Sequence, residues 1–242
     1  MKILGIDTST AMFSVCLCEE DQTLVELKSE RSFKKGNPDA NLFIVAERLI
    51  KILNDDNLSA IALSIGPGMF TSLRVGLSLA KGLHLSKNIP LYGVNTLDAI
   101  AKSFSSFNQA GKNHRIICIA IMEAFQGEFF VAFYDQNGRI GDDKLITPQD
   151  FVDYINRNFQ KDELLFVIGP GALTFKKDPI VRRNLSKRKY FSVIEDDLFF
   201  PSASKIVRTA LPRIRNKKSD NPDVLEPYYI KETSAETKAG RK

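Results

Sequence analysis

The sequence has no tryptophan, only two histidines and only three cysteines in 242 residues. Each scarcity removes a class of chemistry. His84 and His114 lie far apart and form no HxxxH, HxxE or Cys/His cluster, so a zinc or iron site is not expected. Cys16, Cys18 and Cys118 make no CxxC pair. Cys16 and Cys18 are two apart in an apparent strand and point to one face, and all three read as buried, reduced packing residues. The loops GxGxxG and GxxxxGK(S/T) are absent, and so is a GxSxG elbow. The chain therefore offers neither a standard phosphate loop nor a hydrolase nucleophile. No apolar run approaches the roughly 20 residues needed to span a membrane. The opening "MKILGID" lacks the basic region, apolar core and cleavage site of a signal peptide, so the expected compartment is the cytoplasm, with no membrane association.

What is present is an ordinary globular composition. A hydrophobic fraction of 43% against 26% charged residues suffices for one large or two compact domains with real cores. The net charge of +5 is unevenly spread. Between Arg182 and Lys218 eleven Lys/Arg stand against three acids, a net of +8. Such a region invites nucleic acid, although solvated helix faces are the commoner use of charge runs.

Buried strands announce themselves as nearly continuous apolar runs. Lys2–Ile6, "AIALSI" and "RIICIAIM" are of this kind, and "FSVCLCE", "TLVELKSE", "IPLYGV" and "EFFVAFYD" read as further strands. "NLFIVAERLIKIL" (Asn41–Leu53) carries Leu42, Val45, Leu49 and Ile52 at helical spacing. Asn95 or Thr96 can cap the helix "LDAIAKSF", and Thr147 with Pro148 opens another. Ser105–Asn113 reads as a linker. Hairpin, helix and a strand ending in Gly-Pro-Gly occur twice, about 115 residues apart, which suggests duplicated α/β lobes with mixed sheets flanked by helices. The expected division is residues 1–104 and 105–230, with the last helix able to pack back on the first lobe. Residues 231–242 are expected to be a disordered tail.

Two turns carry the polar candidates. Asp7-Thr8-Ser9-Thr10 could hold a hydrated magnesium ion and phosphate oxygens, but without a nearby glycine an Asx/ST turn that satisfies its own backbone is the preferred reading. Gly66-Pro67-Gly68 could present helix-start amides to an anion, or simply supply the dihedrals of a rigid turn. Arg74 is the nearest basic side chain in sequence, though it falls in the polar stripe of the helix. That helix, "TSLRVGLSLAKGL", is apolar over an arc of about 200°, against the roughly 100° a surface helix needs for its own core. Ser72, Gly76 and Ala80 form a ridge of small residues at i, i+4, i+8, flanked by Leu73 and Leu77 on one side and Val75, Leu79 and Leu83 on the other. The ridge and its flanks are read as a seam for another protein.

"ILGIDTST", "SIGPGMFTSLRVGLSLAKGL", "IPLYGVNTLDAIA", "GEFFVAFYD" and "EPYYIK" together resemble the TsaB (YeaZ) family of bacterial tRNA-modification proteins, from residue 3 to about 231. The resemblance implies a two-lobed actin-like, sugar-kinase-like (ASKHA) fold with duplicated RNase H-like lobes. It implies a non-catalytic subunit of the tRNA threonylcarbamoyladenosine-forming complex, without a cofactor of its own. The implied partners are a TsaD-like transferase, a TsaE-like ATPase, tRNA through the complex, and a second copy when the chain is alone. ATP or ADP would then be bound by the assembled complex. The catalytic paralogue holds its metal through an HxxxH pair, and the matching region here, Pro38–Leu53, contains no histidine. Two departures stand out: Ser72 replaces the family's glycine, and Glu123-Ala124-Phe125-Gln126 replaces its "DAR" turn, losing an arginine. The rival reading is a stand-alone actin-like nucleotide phosphohydrolase or kinase.

Overall fold

The structure is a computed structural model that describes residues 1–28, 58–104, 114–185 and 188–230. The helix expected at Asn41–Leu53, the linker at Ser105–Asn113 and the tail at 231–242 lie outside the described residues. The chain divides into two compact units, the first made of Met1–Ala99 with Pro201–Tyr228 and the second centred on Ile100–Phe200. The return of Pro201–Tyr228 to the first unit is the packing back that the expected division allowed for the last helix.

In the first unit five strands are ordered β3-β2-β1-β4-β5. They are β1 (Lys2–Asp7), β2 (Ser14–Glu19), β3 (Gln22–Lys28), β4 (Leu58–Gly66) and β5 (Leu91–Asn95). The first three form an antiparallel meander, and β4 and β5 join parallel to β1. Strand β1 explains its own continuous apolar run, because both of its faces are covered. Ile3 joins a core with helix α6 (Ala203–Arg215), through Ile206, Val207, Ala210 and Ile214. Leu4 and Ile6 face the opposite way, into a core with Leu77 and Ala80 of helix α1 (Phe70–Lys87). The N-terminus of α6 is satisfied from the sheet. Ser14 Oγ accepts from the Ala203 amide at 2.8 Å, and the Glu26 carboxylate accepts from the amide and hydroxyl of Ser204 at 2.9 and 3.0 Å. A carboxylate there also complements the positive end of the helix dipole.

Helix α2 (Thr96–Phe104) follows β5 directly. Of the two candidate caps, Asn95 acts, its Oδ1 accepting from the amides of Leu97 and Asp98 at 2.8 and 3.3 Å. Thr96 is already helical, and its buried hydroxyl has no hydrogen-bond partner among the described residues.

The second unit repeats the first sheet in the order β8-β7-β6-β9-β10. Its strands are β6 (Ile116–Glu123), β7 (Phe129–Asp135), β8 (Gly138–Ile146), β9 (Leu164–Ile168) and β10 (Phe191–Ile194). Again three antiparallel strands are followed by two parallel ones. Helix α3 (Pro148–Asn158) starts as its sequence requires, with Thr147 Oγ1 accepting from the Asp150 amide and proline in the first turn. Helices α4 (Ala172–Lys177) and α5 (Pro179–Leu185) complete the layer. Phe151 sits edge-on to Phe175 at 4.6 Å between centroids and stacks on Phe133 at 6.2 Å. Each such pair contributes about 0.5–1.5 kcal/mol beyond its buried area. Strands β8 and β10 and helices α4 and α5 were not assigned from the sequence.

Candidate functional site

Two turns meet in the first unit: Asp7–Thr10, leaving β1, and Gly66–Gly68, leaving β4 for α1. Parallel pairing of β1 with β4 brings these strand ends together. The Thr8 amide donates to Ser64 Oγ at 3.1 Å. Asp7 is fully buried, and its Oδ1 accepts from the amide of Ser9 at 3.1 Å and from its hydroxyl at 2.7 Å. Among the described residues its Oδ2 has no partner. Burial pushes the Asp7 carboxyl above its ordinary range, with the Glu26 charge adding to it, and the hydrogen bonds from Ser9 and the nearby Ser64 hydroxyl act in the opposite direction. Thr10 closes an ST turn, donating to the Met12 carbonyl at 3.1 Å and accepting from the Met12 amide at 3.2 Å.

The second turn is held against the first. The Met69 amide, at the start of α1, donates to the Ser9 carbonyl at 2.9 Å. A Cβ on Gly68 would lie 2.4 Å from that same carbonyl oxygen, so the close approach requires glycine. The Met69 amide, one of those an anion at the helix start would use, is thus taken by the chain's own backbone. The Arg74 guanidinium lies over the Phe70 ring at 3.7 Å. Gly68, Asp7, Thr8 and Ser9 form one interlocked turn, Gly66 lies instead against the Tyr228 carbonyl, and Thr10 is tied to Met12.

Helix α1 corrects one expectation. Ser72, Leu73, Gly76 and Ala80 are buried by this chain alone. A Cβ on Gly76 would come 2.4 Å from Thr8 Oγ1, so at Gly76 the small ridge lies against the Asp7–Thr10 turn of this chain. The reason is geometric: small residues at i, i+4, i+8 let a helix settle closely on its own sheet as well as on a foreign helix. Val75, Leu79 and Leu83 are half-buried; Leu79 and Leu83 also pack against the core of the first unit, whereas Val75 is not part of it.

Among the described residues no group of His, Cys, Asp and Glu side chains could hold a metal ion. His84 Nδ1 donates to the Ile89 carbonyl at 2.9 Å, and His114 packs on Tyr190 at 5.2 Å. The three cysteines are free and buried. The altered turn at Glu123–Gln126 is a tight hairpin connection, with Gln126 and Gly127 at φ of 60° and 78° and Phe125 exposed. The Glu123 carboxylate accepts from Thr174 Oγ1.

The basic region splits in two. Arg213 belongs to the fold: it donates to the Gly93 carbonyl at 2.9 Å and to Asp220 Oδ1 at 2.5 Å. Arg215 reaches Glu20 at 3.7 Å. Arg182, Arg183 and Lys189 are exposed on the second unit.

Residues 40–164, just over half of the chain, match the family model described as TsaD: tRNA N6-adenosine threonylcarbamoyltransferase. The tRNA threonylcarbamoyladenosine biosynthesis protein TsaB of Bacillus subtilis is 27% identical over 185 residues, which cover 73% of this chain and 74% of that one. The TsaB protein of Haemophilus influenzae is 23% identical over 245 residues, 96% of this chain and 94% of that one. The solved structure of YeaZ from Pseudomonas aeruginosa matches with a TM-score of 0.68 at 19% identity, over 95% of this chain and 99% of that one. This likeness extends to the fold: both are two-lobed α/β architectures.

Proposed function

This chain belongs to the family whose TsaD model it matches, and within it to the TsaB (YeaZ) proteins; from that premise we propose that it serves tRNA threonylcarbamoyladenosine biosynthesis as a non-catalytic subunit. It dimerises with a TsaD-like transferase, works beside a TsaE-like ATPase and acts on tRNA through the assembled complex in the cytoplasm. The observation that carries the non-catalytic reading is the closed turn. Met69 gives its amide, one of those an anion at the helix start would use, to the Ser9 carbonyl, and Gly68 lies close against that same carbonyl. Asp7 is sealed beneath it and pushed toward its neutral form, a poor state for holding a cation. No helix among the described residues is long and apolar enough to cross a membrane.

The test is co-expression with a TsaD-like transferase, followed by size-exclusion chromatography and a nucleotide-turnover assay on the lone chain. The expected result is a stable heterodimer and no multiple-turnover hydrolysis by the chain alone. Hydrolysis that disappears in Asp7→Ala would replace this reading with a stand-alone phosphohydrolase or kinase.

A further inference from the structure

The second unit carries a concentration of positive charge that its fold does not use. From Leu173 to Tyr190 the sequence has seven Lys/Arg and one acid. Helix α5 buries Val181 and Leu185, four apart, in the core of the unit, and this turns Arg182 and Arg183 outward to water. Helix α4 buries Phe175 and leaves Lys176 and Lys177 exposed. The one acid of the stretch is spent on structure: Asp178 Oδ1 accepts from the amides of Ile180 and Val181 at 2.8 and 3.3 Å, as an N-terminal cap. Lys176 is matched by Glu195 at 2.6 Å, and Arg188 turns inward to the carbonyls of Phe159 and Gln160. Lys177, Arg182 and Arg183 are exposed, and among the described residues none has an ion-pair partner. Beyond α5, Lys189 lies 4.9 Å from the Tyr190 ring, which also packs on His114.

We infer that the outward face of α4 and α5, with Lys177, Arg182, Arg183 and Lys189, binds the sugar-phosphate backbone of RNA. Like charges this close in sequence repel one another, so the surface carries a standing positive potential that an anionic polymer relieves. Arginine forks and lysine ammonium groups match phosphate oxygens, while carrying no base-reading pattern. A π-surface beside the cations suits a nucleotide base better than a lipid tail, and that favours RNA over an anionic membrane. The inference rests on the proposed role in tRNA modification and names the surface by which this subunit would hold the tRNA.

The experiment titrates unmodified tRNA with the full chain, alone and with its transferase partner, by fluorescence anisotropy at several salt concentrations. One variant combines Lys177→Glu, Arg182→Glu and Arg183→Glu. A second reverses the same number of charges at Arg215, Lys217 and Lys218 on the first unit. The first should lose at least about tenfold in affinity, and its slope of log affinity against log salt should fall by about two. The second should stay within about twofold of the parent. Equal losses in both variants would show an effect of net charge and overturn the assignment, as would no loss in either. Tighter binding to phosphatidylglycerol vesicles than to tRNA, lost in the first variant, would assign the face to a membrane and overturn it as well. A milder set, Lys177→Gln with Arg182→Gln and Arg183→Gln, covers a charge reversal that harms folding. Heterodimer formation is read separately on the column. An intact heterodimer with unchanged tRNA affinity removes this surface alone, whereas failure to pair removes the proposed function and leaves the lone-chain titration to judge the surface.

Discussion

Asp7 joins two conflicting demands on one carboxylate. Its Oδ1 organises the turn through two bonds from Ser9, while its Oδ2 is buried without a partner among the described residues. Burial raises its pKa above 3.8, so the folded protein holds a proton that the unfolded chain has released. In the window between 3.8 and that raised value the native state binds more protons than the unfolded state. Stability contributed by this group is therefore greatest in acid and falls as pH rises through the window. Asp7→Asn keeps an oxygen for both Ser9 bonds and removes the charge. It should melt higher than the parent at neutral pH, with the gain shrinking as pH falls toward 3.8, as thermal melts across pH would show. A parent more stable than the variant at neutral pH would mean that a positive group meets Oδ2, and the burial argument would fail. The local bonding of "DTST" was legible in the sequence, since Asp, Ser and Thr in a turn hydrogen-bond their own backbone. Which oxygen would be orphaned was not, because that depends on Ser64 and α1, more than fifty residues away.

Among elements, β5 shows how the chain finishes a sheet edge. Its free edge faces the segment after α6, where the Asp220 amide donates to the Leu91 carbonyl at 2.9 Å. Two residues further on, Asp220 Oδ2 accepts from the Gly93 amide at 2.7 Å and Arg213 donates to the Gly93 carbonyl at 2.9 Å. The Arg213–Asp220 pair thus stands in for the next strand and ties α6 to the sheet. The pair is partly exposed, so its Coulomb attraction counts for little; what matters is the two backbone groups it satisfies. Asp220→Ala should cost about 1–2 kcal/mol in denaturant unfolding. Arg213→Lys should lose nearly as much as Arg213→Ala, because one ammonium cannot span Gly93 and Asp220 in the manner of a guanidinium fork. Full stability in Arg213→Lys would refute the strand-substitute account. Central strands β1, β4, β6 and β9 were legible because burial on both faces writes an unbroken apolar run. Edge strand β8, "GRIGDDKLI", and the short β10 carry no such run, and α4 and α5 are too short for periodicity to rise above the noise.

At the scale of the whole molecule the same device appears twice. In each unit a strand ends in Gly-Pro-Gly, and an amide at the start of the following helix is given to a carbonyl of the neighbouring hairpin: Met69 to Ser9, and Gly171 to Ile121. The duplication was legible from the recurring pattern, but the use of α1 was not, since one apolar wheel fits both a core and an interface. The structure divides that wheel between neighbouring residues. Gly76 faces Thr8 with no room for a Cβ, whereas Val75 is half-buried on the flank with Leu79 and Leu83. If the proposed heterodimer uses this flank, Val75 and Gly76 should fail in different ways. Gly76→Arg must displace Thr8 and bury a charge, so the lone chain should lose at least about 1–3 kcal/mol from overpacking, and more from the unpaired guanidinium. Thr8→Ala, which removes both atoms nearest the new Cβ, should recover part of the loss in a milder Gly76→Ala background. Val75→Glu should leave the unfolding midpoint of the lone chain nearly unchanged, while weakening association with the TsaD-like partner about tenfold or more, or ~1.4 kcal/mol. Denaturant titration of each lone variant and size-exclusion of each mixture with the partner separate the two effects. Parent-like stability in Gly76→Arg would reopen the small ridge as a partner seam. Parent-like pairing in Val75→Glu would move the interface away from this flank of α1.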